Sequence, residues 1–401
     1  MRSVWTFHSA GTVVFGSGAV RQTGDVIRRL GLRRVFVVTD TTLRDVGVLD
    51  AVHSALADSG VTCEVFLGGQ AEPSLHLVNQ AVAAAKHYNP DGVVGLGGGS
   101  NMDVAKFVGL LLKHGGPPED YLGDDRIPGP IVPVVCIPTT AGTGSEVSGA
   151  AAFTDTDNQV KVGSLSNFLR PAAAIIDPDL TMSCPCKVTA DSGIDALTHA
   201  IEAFTAVDNA EFPLPPSERS VYQGRNPMTD MCAGEAIQLI GQFLRRAVKN
   251  GKDQNARVGM MRAAMLGGLA FSNSGVALVH ALEYPVGGAT NCSHGEGNGL
   301  LLPYVMRFIM PTRKKEFAKI AEWLGENVGK LNEDNAAEAA ITAVEELRHA
   351  IGIPARLRDL GVKEHQLSDF AAKAFAIKRI LRVSPRAASQ TDLEEIYRAA
   401  F

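Results

Sequence analysis

The sequence predicts an N-terminal α/β domain with a doubly wound parallel sheet, followed by an all-α C-terminal domain. Three observations lead to this fold class. The chain has 401 residues, more than one ordinary hydrophobic core accommodates. Short apolar runs alternate with helical segments up to residue 184, and from residue 185 onward the pattern is helical. We therefore expect two domains, 1–184 and 185–401.

Five apolar runs in the first domain indicate strands. Each run is bounded by Gly, Pro or Asp, and its near-continuous apolar character is typical of strands covered on both faces. Helical segments at 77–88 and 102–115 lie between them, as a doubly wound sheet requires. The predicted strands are 33–40, 62–68, 91–99, 132–140 and 172–178.

The second domain consists of helical segments such as "VTADSGIDALTHAIEAFTA" and "AGEAIQLIGQFLRRAVKN". A polar, Pro-rich insert at 208–227 interrupts them and is predicted to be a loop.

Composition and charge exclude several classes of protein. The net charge of -5 gives no indication of a nucleic-acid partner, and no apolar run reaches the roughly 18 residues that span a membrane. The six cysteines form no CxxC pair, and the N-terminus lacks the long apolar stretch of a signal peptide. We expect a cytoplasmic protein with neither a nucleic-acid nor a membrane partner.

Two polar, glycine-containing loops follow predicted strands. In "VVGLGGGSNMDVAK", Gly97, Gly98, Gly99 and Ser100 lie where a strand meets a helix, a pattern that suits a pyrophosphate but also an ordinary turn. The loop "PTTAGTGSEVSG" is rich in hydroxyl groups. Such loops lie at the ligand-binding edge of an open α/β sheet. Asp40 ends another strand, and its carboxylate would favour NAD over NADP because it repels a 2′-phosphate.

A possible metal site is indicated in the helical domain. Asp195 and His199 are one helical turn apart in an apolar segment, which fits either a structural hydrogen bond or part of a metal site. His280 lies in a helical context and His294 in a Gly-rich turn. One carboxylate and three imidazoles suit a divalent transition metal with room for a substrate oxygen.

Five motifs together resemble the iron-containing alcohol dehydrogenase family, which has a dehydroquinate synthase-like fold. They are "GGGSNMDVAK", "PTTAGTGSE", "DSGIDALTHAIEAF", "HALEYPVGG" and "SHGEGNGLLLPYV". The resemblance covers nearly the whole chain. It implies a nucleotide-binding domain at 1–184, a metal-binding domain at 185–401 and a metal in the intervening cleft.

The same resemblance implies cofactors and site residues. Fe(II) is the expected metal, although the donor set also accepts Zn(II), and NAD(H) is the expected hydride carrier. The implied metal ligands are Asp195, His199, His280 and His294. The implied cofactor-binding residues are Asp40, Gly97, Gly98, Gly99, Ser100, Asp103, Thr139, Thr140, Thr143, Ser145 and Lys161.

The predicted activity is that of a metal-dependent, NAD-linked alcohol dehydrogenase or aldehyde or ketone reductase. Its substrate would be a small alcohol, hydroxyacid or aldehyde, and we expect a homodimer or higher homo-oligomer. One alternative is a hydroxyacid–oxoacid transhydrogenase that holds its nicotinamide tightly. A non-redox lyase of the dehydroquinate-synthase kind is a further alternative, against which the Asp-and-three-His set argues.

Two features distinguish the chain from many relatives. Tyr284 stands where many of them have a further histidine. The tyrosine would act either as a proton relay or as a packed aromatic. The segment "EYPVGG" and the Pro-rich insert look closest to the transhydrogenase branch. Arg219 and Arg225 in that insert would clamp a substrate carboxylate or would simply be solvated.

Overall fold

A computed structural model of the chain describes residues 4–156, 160–214 and 220–401. Their backbone divides into two compact units. The sheet unit comprises the described residues between His8 and Cys184, together with 220–221. The helical unit comprises residues 4–7, 185–214 and 222–401.

All strands of the described residues lie in the sheet unit. They are β1 Val13–Phe15, β2 Arg34–Val38, β3 Thr62–Phe66, β4 Gly92–Gly97, β5 Gly123–Asp124, β6 Val134–Pro138, β7 Ala150–Asp155, β8 Val160–Leu165 and β9 Ala173–Ile176. The helices of this unit are α1 Thr23–Arg29, α2 Thr41–Asp45, α3 Val48–Asp58, α4 Leu75–Tyr88 and α5 Gly99–His114.

Six of these strands form a parallel sheet in the order β1-β9-β6-β4-β2-β3. Alternate side chains of β2 enter two different cores, with Phe36 packing beside α4 and α5 and Val35 beside α1 and α3. Helices therefore cover both faces, which confirms the doubly wound fold. β5, β8 and β7 form a second, three-stranded sheet.

The strand order places a topological switch point between β2 and β4. From β2 the chain moves outward to β3, then returns to add β4 on the other side of β2. Ligands of open α/β sheets bind at the carboxyl ends of the strands that flank such a point. Asp40 follows β2 and Gly98 follows β4, so both predicted cofactor residues lie at this position.

The helical unit is built from ten α-helices within the described residues. They are α6 Cys186–Thr205, α7 Pro227–Lys249, α8 Gln254–Ser274, α9 Leu278–Thr290, α10 His294–Ile309, α11 Lys314–Trp323, α12 Glu333–Ala350, α13 Leu367–Ala376, α14 Lys378–Leu381 and α15 Gln390–Ala400. Side-chain caps define several starts: Asn226 and Thr229 form a capping box at α7, and Ser293 caps α10.

α6 is buried on nearly all sides and packs against α7, α8 and α10. At its C-terminal end, the ring of Phe204 lies 4.8 Å from that of Trp323 on α11. Trp5 also belongs to the helical unit.

Among the described residues, no single helix is long and apolar enough to cross a membrane; α8 and α9 pass such a test only as a pair bent by 104°.

Candidate metal centre and cofactor cradle

Asp195 and His199 lie on the same buried side of α6, but they do not satisfy each other. Asp195 is 3% exposed and His199 is 5% exposed. His199 Nδ1 lies 3.9 Å from Asp195 Oδ2, beyond hydrogen-bonding distance, and is buried with no hydrogen-bond partner. A buried nitrogen without a hydrogen-bond partner indicates that a further ligand binds there. A structural hydrogen bond between Asp195 and His199 would have left no such nitrogen.

His280 from α9 and His294 from α10 meet Asp195 from α6. The ligand atoms of these three residues lie within 4.8 Å of one another, and such a set fits a divalent cation. His199 is not part of this set of three. Its ring stacks on that of His280 at a centroid distance of 4.8 Å, so it borders the site, and its role as a fourth ligand stays a prediction.

Asn298 of α10 lies at the centre of the three ligand atoms. Its Nδ2 is 2.8 Å from Asp195 Oδ1, 3.2 Å from His280 Nε2 and 3.1 Å from His294 Nε2. Three acceptors thus point at one electropositive amide group, as they would at a metal ion. The set of ligand atoms from Asp195, His280 and His294 therefore fits the metal that the sequence predicts.

Two buried glutamates orient the histidine rings. His280 Nδ1 lies 2.6 Å from Glu202 Oε2, and His294 Nδ1 lies 2.6 Å from Glu283 Oε2. An ionised carboxylate only accepts, so each Nδ1 is the donor and each Nε2 keeps its lone pair.

The protonation states also suit metal binding. Burial lowers the pKa of His199 to about 4, so this imidazole is neutral at neutral pH. Burial alone would raise the pKa of Asp195, but the neighbouring imidazoles and the Asn298 amide hold it below its usual range. Metal ions bind deprotonated ligands, which these groups provide.

Tyr284 borders the site next to Glu283. Its ring centroid lies 6.2 Å from that of His294. The distance is compatible with a packed aromatic as well as with a proton relay, and the relay stays a prediction.

In the sheet unit, the cradle between β4 and α5 consists of backbone. Gly97 has a φ of +144°, which favours glycine, and a Cβ there would lie 2.3 Å from Asn101 Nδ2. No side chain caps the start of α5, so the first N–H groups of this 16-residue helix can bind an anion.

The hydroxyl-rich loop packs directly against this cradle. Thr139 N donates to Gly97 O at 3.0 Å. A Cβ on Gly99 would lie 2.9 Å from Thr143 Cγ2, so the loop and the helix start are in close contact. The two predicted segments therefore form one site.

Asp40 is held from two directions. Its Oδ1 accepts from Leu43 N and caps α2, and its Oδ2 accepts from Asn101 Nδ2 at 2.8 Å. Asn101 also donates to Leu96 O and is 3% exposed. This buried amide thus joins the carboxylate to the cradle, and nothing in the sequence pattern had singled it out.

Asp103 and Ser145 bind each other. Ser145 Oγ donates to Asp103 Oδ1 at 2.6 Å, and Lys106 Nζ donates to Ser145 Oγ at 2.7 Å. Burial raises the pKa of Asp103, although the Lys106 charge opposes the rise. These side chains tie the loop to α5, so the geometry favours a supporting role over the predicted direct contact with the cofactor.

The cations predicted to contact ligands have acidic partners in the structure. Lys161 Nζ lies 3.3 Å from Glu72 Oε2. Arg225 binds Asp230 and Glu316, each at 2.7 Å. Its guanidinium is therefore engaged, which argues for a structural role and against a substrate clamp. Arg219 lies outside the described residues.

Two family profiles match the chain. The profile described as iron-containing alcohol dehydrogenase matches residues 10–178, and the profile of the C-terminal region of that family matches residues 217–401.

Individual relatives match over nearly the full length. The long-chain-alcohol dehydrogenase 1 of Geobacillus thermodenitrificans is 39% identical over 96% of this chain and 94% of its own length. The NAD-dependent methanol dehydrogenase of Bacillus methanolicus is 37% identical, over 96% and 97%. A solved 1,3-propanediol oxidoreductase superposes with a TM-score of 0.93 at 35% identity, over 99% of this chain and 100% of its own.

Proposed function

The chain belongs to the iron-containing alcohol dehydrogenase family, and we propose how its residues serve the oxidation of an alcohol. It is a metal-dependent, NAD-linked alcohol dehydrogenase, an oxidoreductase acting on CH–OH groups that also runs in reverse as an aldehyde or ketone reductase. The observation that carries the proposal is the convergence of Asp195, His280 and His294 in the helical unit. The names of its relatives, which include a methanol dehydrogenase and a long-chain-alcohol dehydrogenase, support an alcohol as substrate.

Asp195, His280 and His294, together with His199, would hold a divalent iron, and the same donors accept zinc. When bound, the metal supplies Lewis acidity toward the substrate oxygen, and the nicotinamide carries the hydride. The chain's own contribution is to keep Asp195 ionised and His199 neutral, and to fix the ring orientations of His280 and His294 through buried partners.

The cofactor would bind at the edge of the sheet unit. The open N–H groups that follow Gly98 would hold the pyrophosphate, with Ser100 beside them. Asp40 would accept from the ribose hydroxyls and disfavour a 2′-phosphate. The remaining predicted contacts come from Thr139, Thr140, Thr143 and Lys161.

The test is a cofactor-coupled absorbance screen of the full chain loaded separately with Fe(II) and Zn(II). Primary alcohols, diols, hydroxyacids and aldehydes would be compared with NAD(H) and NADP(H). We expect metal-dependent oxidation of alcohols with NAD, and absence of turnover on every substrate with either metal would contradict the proposal. The transhydrogenase alternative predicts instead that turnover requires an added oxoacid.

The homo-oligomeric state, the cytoplasmic location and the assignment to the transhydrogenase branch stay predictions. Size-exclusion chromatography with light scattering tests the first, because a monomeric mass would contradict it.

A further inference from the structure

The three ligand residues that converge come from three different helices, and each helix carries a second buried polar side chain. α6 contributes Asp195, α9 contributes His280 and α10 contributes His294. The second side chains are Glu202 on α6, Glu283 on α9 and Asn298 on α10, which are 3%, 0% and 0% exposed.

These second side chains connect the three helices. Glu202 and Glu283 each bind the ligand of the next helix at 2.6 Å, whereas the Asn298 amide lies 2.8 Å from Asp195 and also within 3.2 Å of His280 and His294. The pairs are Glu202 with His280, Glu283 with His294, and Asn298 with Asp195. The hydrogen bonds therefore run from α6 to α9, from α9 to α10 and from α10 back to α6.

We propose that Glu202 and Glu283 are positioning residues that link α6, α9 and α10 and preorganise the metal site. The proposal rests on the proposed function, because it requires a metal at these ligands. A carboxylate that accepts from Nδ1 fixes the tautomer and directs Nε2 toward the metal. His280 and His294 are thus each held by a neighbouring helix before a metal binds.

Glu283 offers the cleaner test of the two positioning residues. Glu202 also accepts from the backbone N–H groups of Ala277 and Val279, so its removal would disturb the start of α9 as well. Glu283 lies inside α9, and its carboxylate binds the side chain of His294.

The experiment measures Zn²⁺ affinity of the metal-free full chain by competition with a chelator. Glu283→Ala should weaken binding by roughly 10- to 100-fold, the usual effect of losing a partner of a metal ligand. Glu283→Gln should lie between Glu283→Ala and the parent, because the amide oxygen still accepts from Nδ1. The visible spectrum of bound Co²⁺ should also shift in Glu283→Gln. Glu345→Gln, which alters an exposed ion pair with Arg307, is the matched control.

A double-mutant cycle tests whether Glu283 acts through His294. In a His294→Ala background, Glu283→Ala should cause no further loss of Zn²⁺ affinity. Parent-like affinity of Glu283→Ala, or an equal further loss in that background, would overturn the proposal. Should the alanine variants fail to fold, the cycle is run with Glu283→Gln and His294→Gln, judged by the same outcomes. Failure of the metal site itself gives a different result, namely parent-like Zn²⁺ binding by His280→Ala.

Discussion

The metal centre of the helical unit and the cofactor cradle of the sheet unit are constructed in opposite ways. The metal centre depends on buried side chains, each held by a partner on another helix. The cradle depends on the lack of side chains, because its glycines leave the backbone N–H groups at the start of α5 open to a ligand. The first region should therefore fail when a side chain is removed, and the second when one is added.

Removing a ligand should give the largest effect. We expect His280→Ala to reduce metal-dependent turnover by roughly a thousandfold or more, because a metal contributes several kcal/mol to the reaction. NAD affinity should stay near that of the parent, since the cradle lies in the other unit. Metal analysis and calorimetric titration with NAD check both expectations, with the exposed His349→Ala as control. Unchanged metal content and activity would remove His280 from the site.

Adding a methyl group to the cradle should give the converse result. Gly97→Ala is strained at a φ of +144° and places a Cβ against Asn101, so NAD binding should weaken by roughly 10- to 100-fold. Metal content should not change. Gly115→Ala is a matched control, because Gly115 also has a positive φ, at the far end of α5, but has open space around it. Equal loss of NAD affinity in both variants would show that helix strain, and not the cradle, is responsible.

A smaller effect should come from Asp40, the carboxylate proposed to face the ribose. Asp40→Ser should shift the NAD-to-NADP preference by roughly tenfold toward NADP, because repulsion of the 2′-phosphate disappears. Serine is chosen because it can still cap α2 at Leu43. Steady-state kinetics with both cofactors measure the shift, with the exposed Asp45→Ser as control. A parent that already prefers NADP would refute the placement of Asp40.

The last prediction concerns stability, not turnover or cofactor binding, and involves a buried carboxyl group of the sheet unit. Burial raises the pKa of Glu146 to about 7, although a backbone hydrogen bond and the Lys106 charge oppose the rise. The folded state then binds this proton more tightly than the unfolded state, so its stabilising effect is complete below about pH 4.5 and is lost as the pH rises through 7.

Glu146→Gln should remove this dependence. Between pH 5 and pH 8 the thermal midpoint of the parent should fall relative to that of the variant, by the equivalent of about 3 kcal/mol at most. Scanning calorimetry across this range provides the measurement, with the exposed Glu119→Gln as control. Parallel curves for the parent and the Gln variant would contradict the elevated pKa.

The fold was predictable where residues are buried on both sides. All five predicted strands are present. The apolar runs of β2, β4, β6 and β9 reflect burial on two faces, whereas β3 lies at a sheet edge and is only partly buried. The three strands of the second sheet, β5, β7 and β8, were missed, and so was β1. β1 has three residues at a sheet edge, and Val13 and Phe15 are more than a third exposed. So short a run gives no pattern to detect.

The candidate site was predictable only in part. Asp195 and His280 were noticeable as polar residues in apolar helices, and Glu202 in "THAIEAF" gave the same signal without being recognised. Glu283 and Asn298 acquire meaning only when α6, α9 and α10 meet, which local sequence does not reveal. A loop rich in hydroxyl groups likewise does not show which way each side chain points. Ser145, for example, points inward and binds Asp103.

The position of the aromatic residues has a practical consequence for optical spectroscopy. Both tryptophans of the chain, Trp5 and Trp323, belong to the helical unit, and Trp323 packs against Phe204 on the helix that carries Asp195. Intrinsic tryptophan emission therefore reports on the helical unit alone, whereas far-ultraviolet circular dichroism reports on both units. In a denaturant titration, added metal should delay the emission change, and any gap between the two signals would measure how independently the sheet unit unfolds.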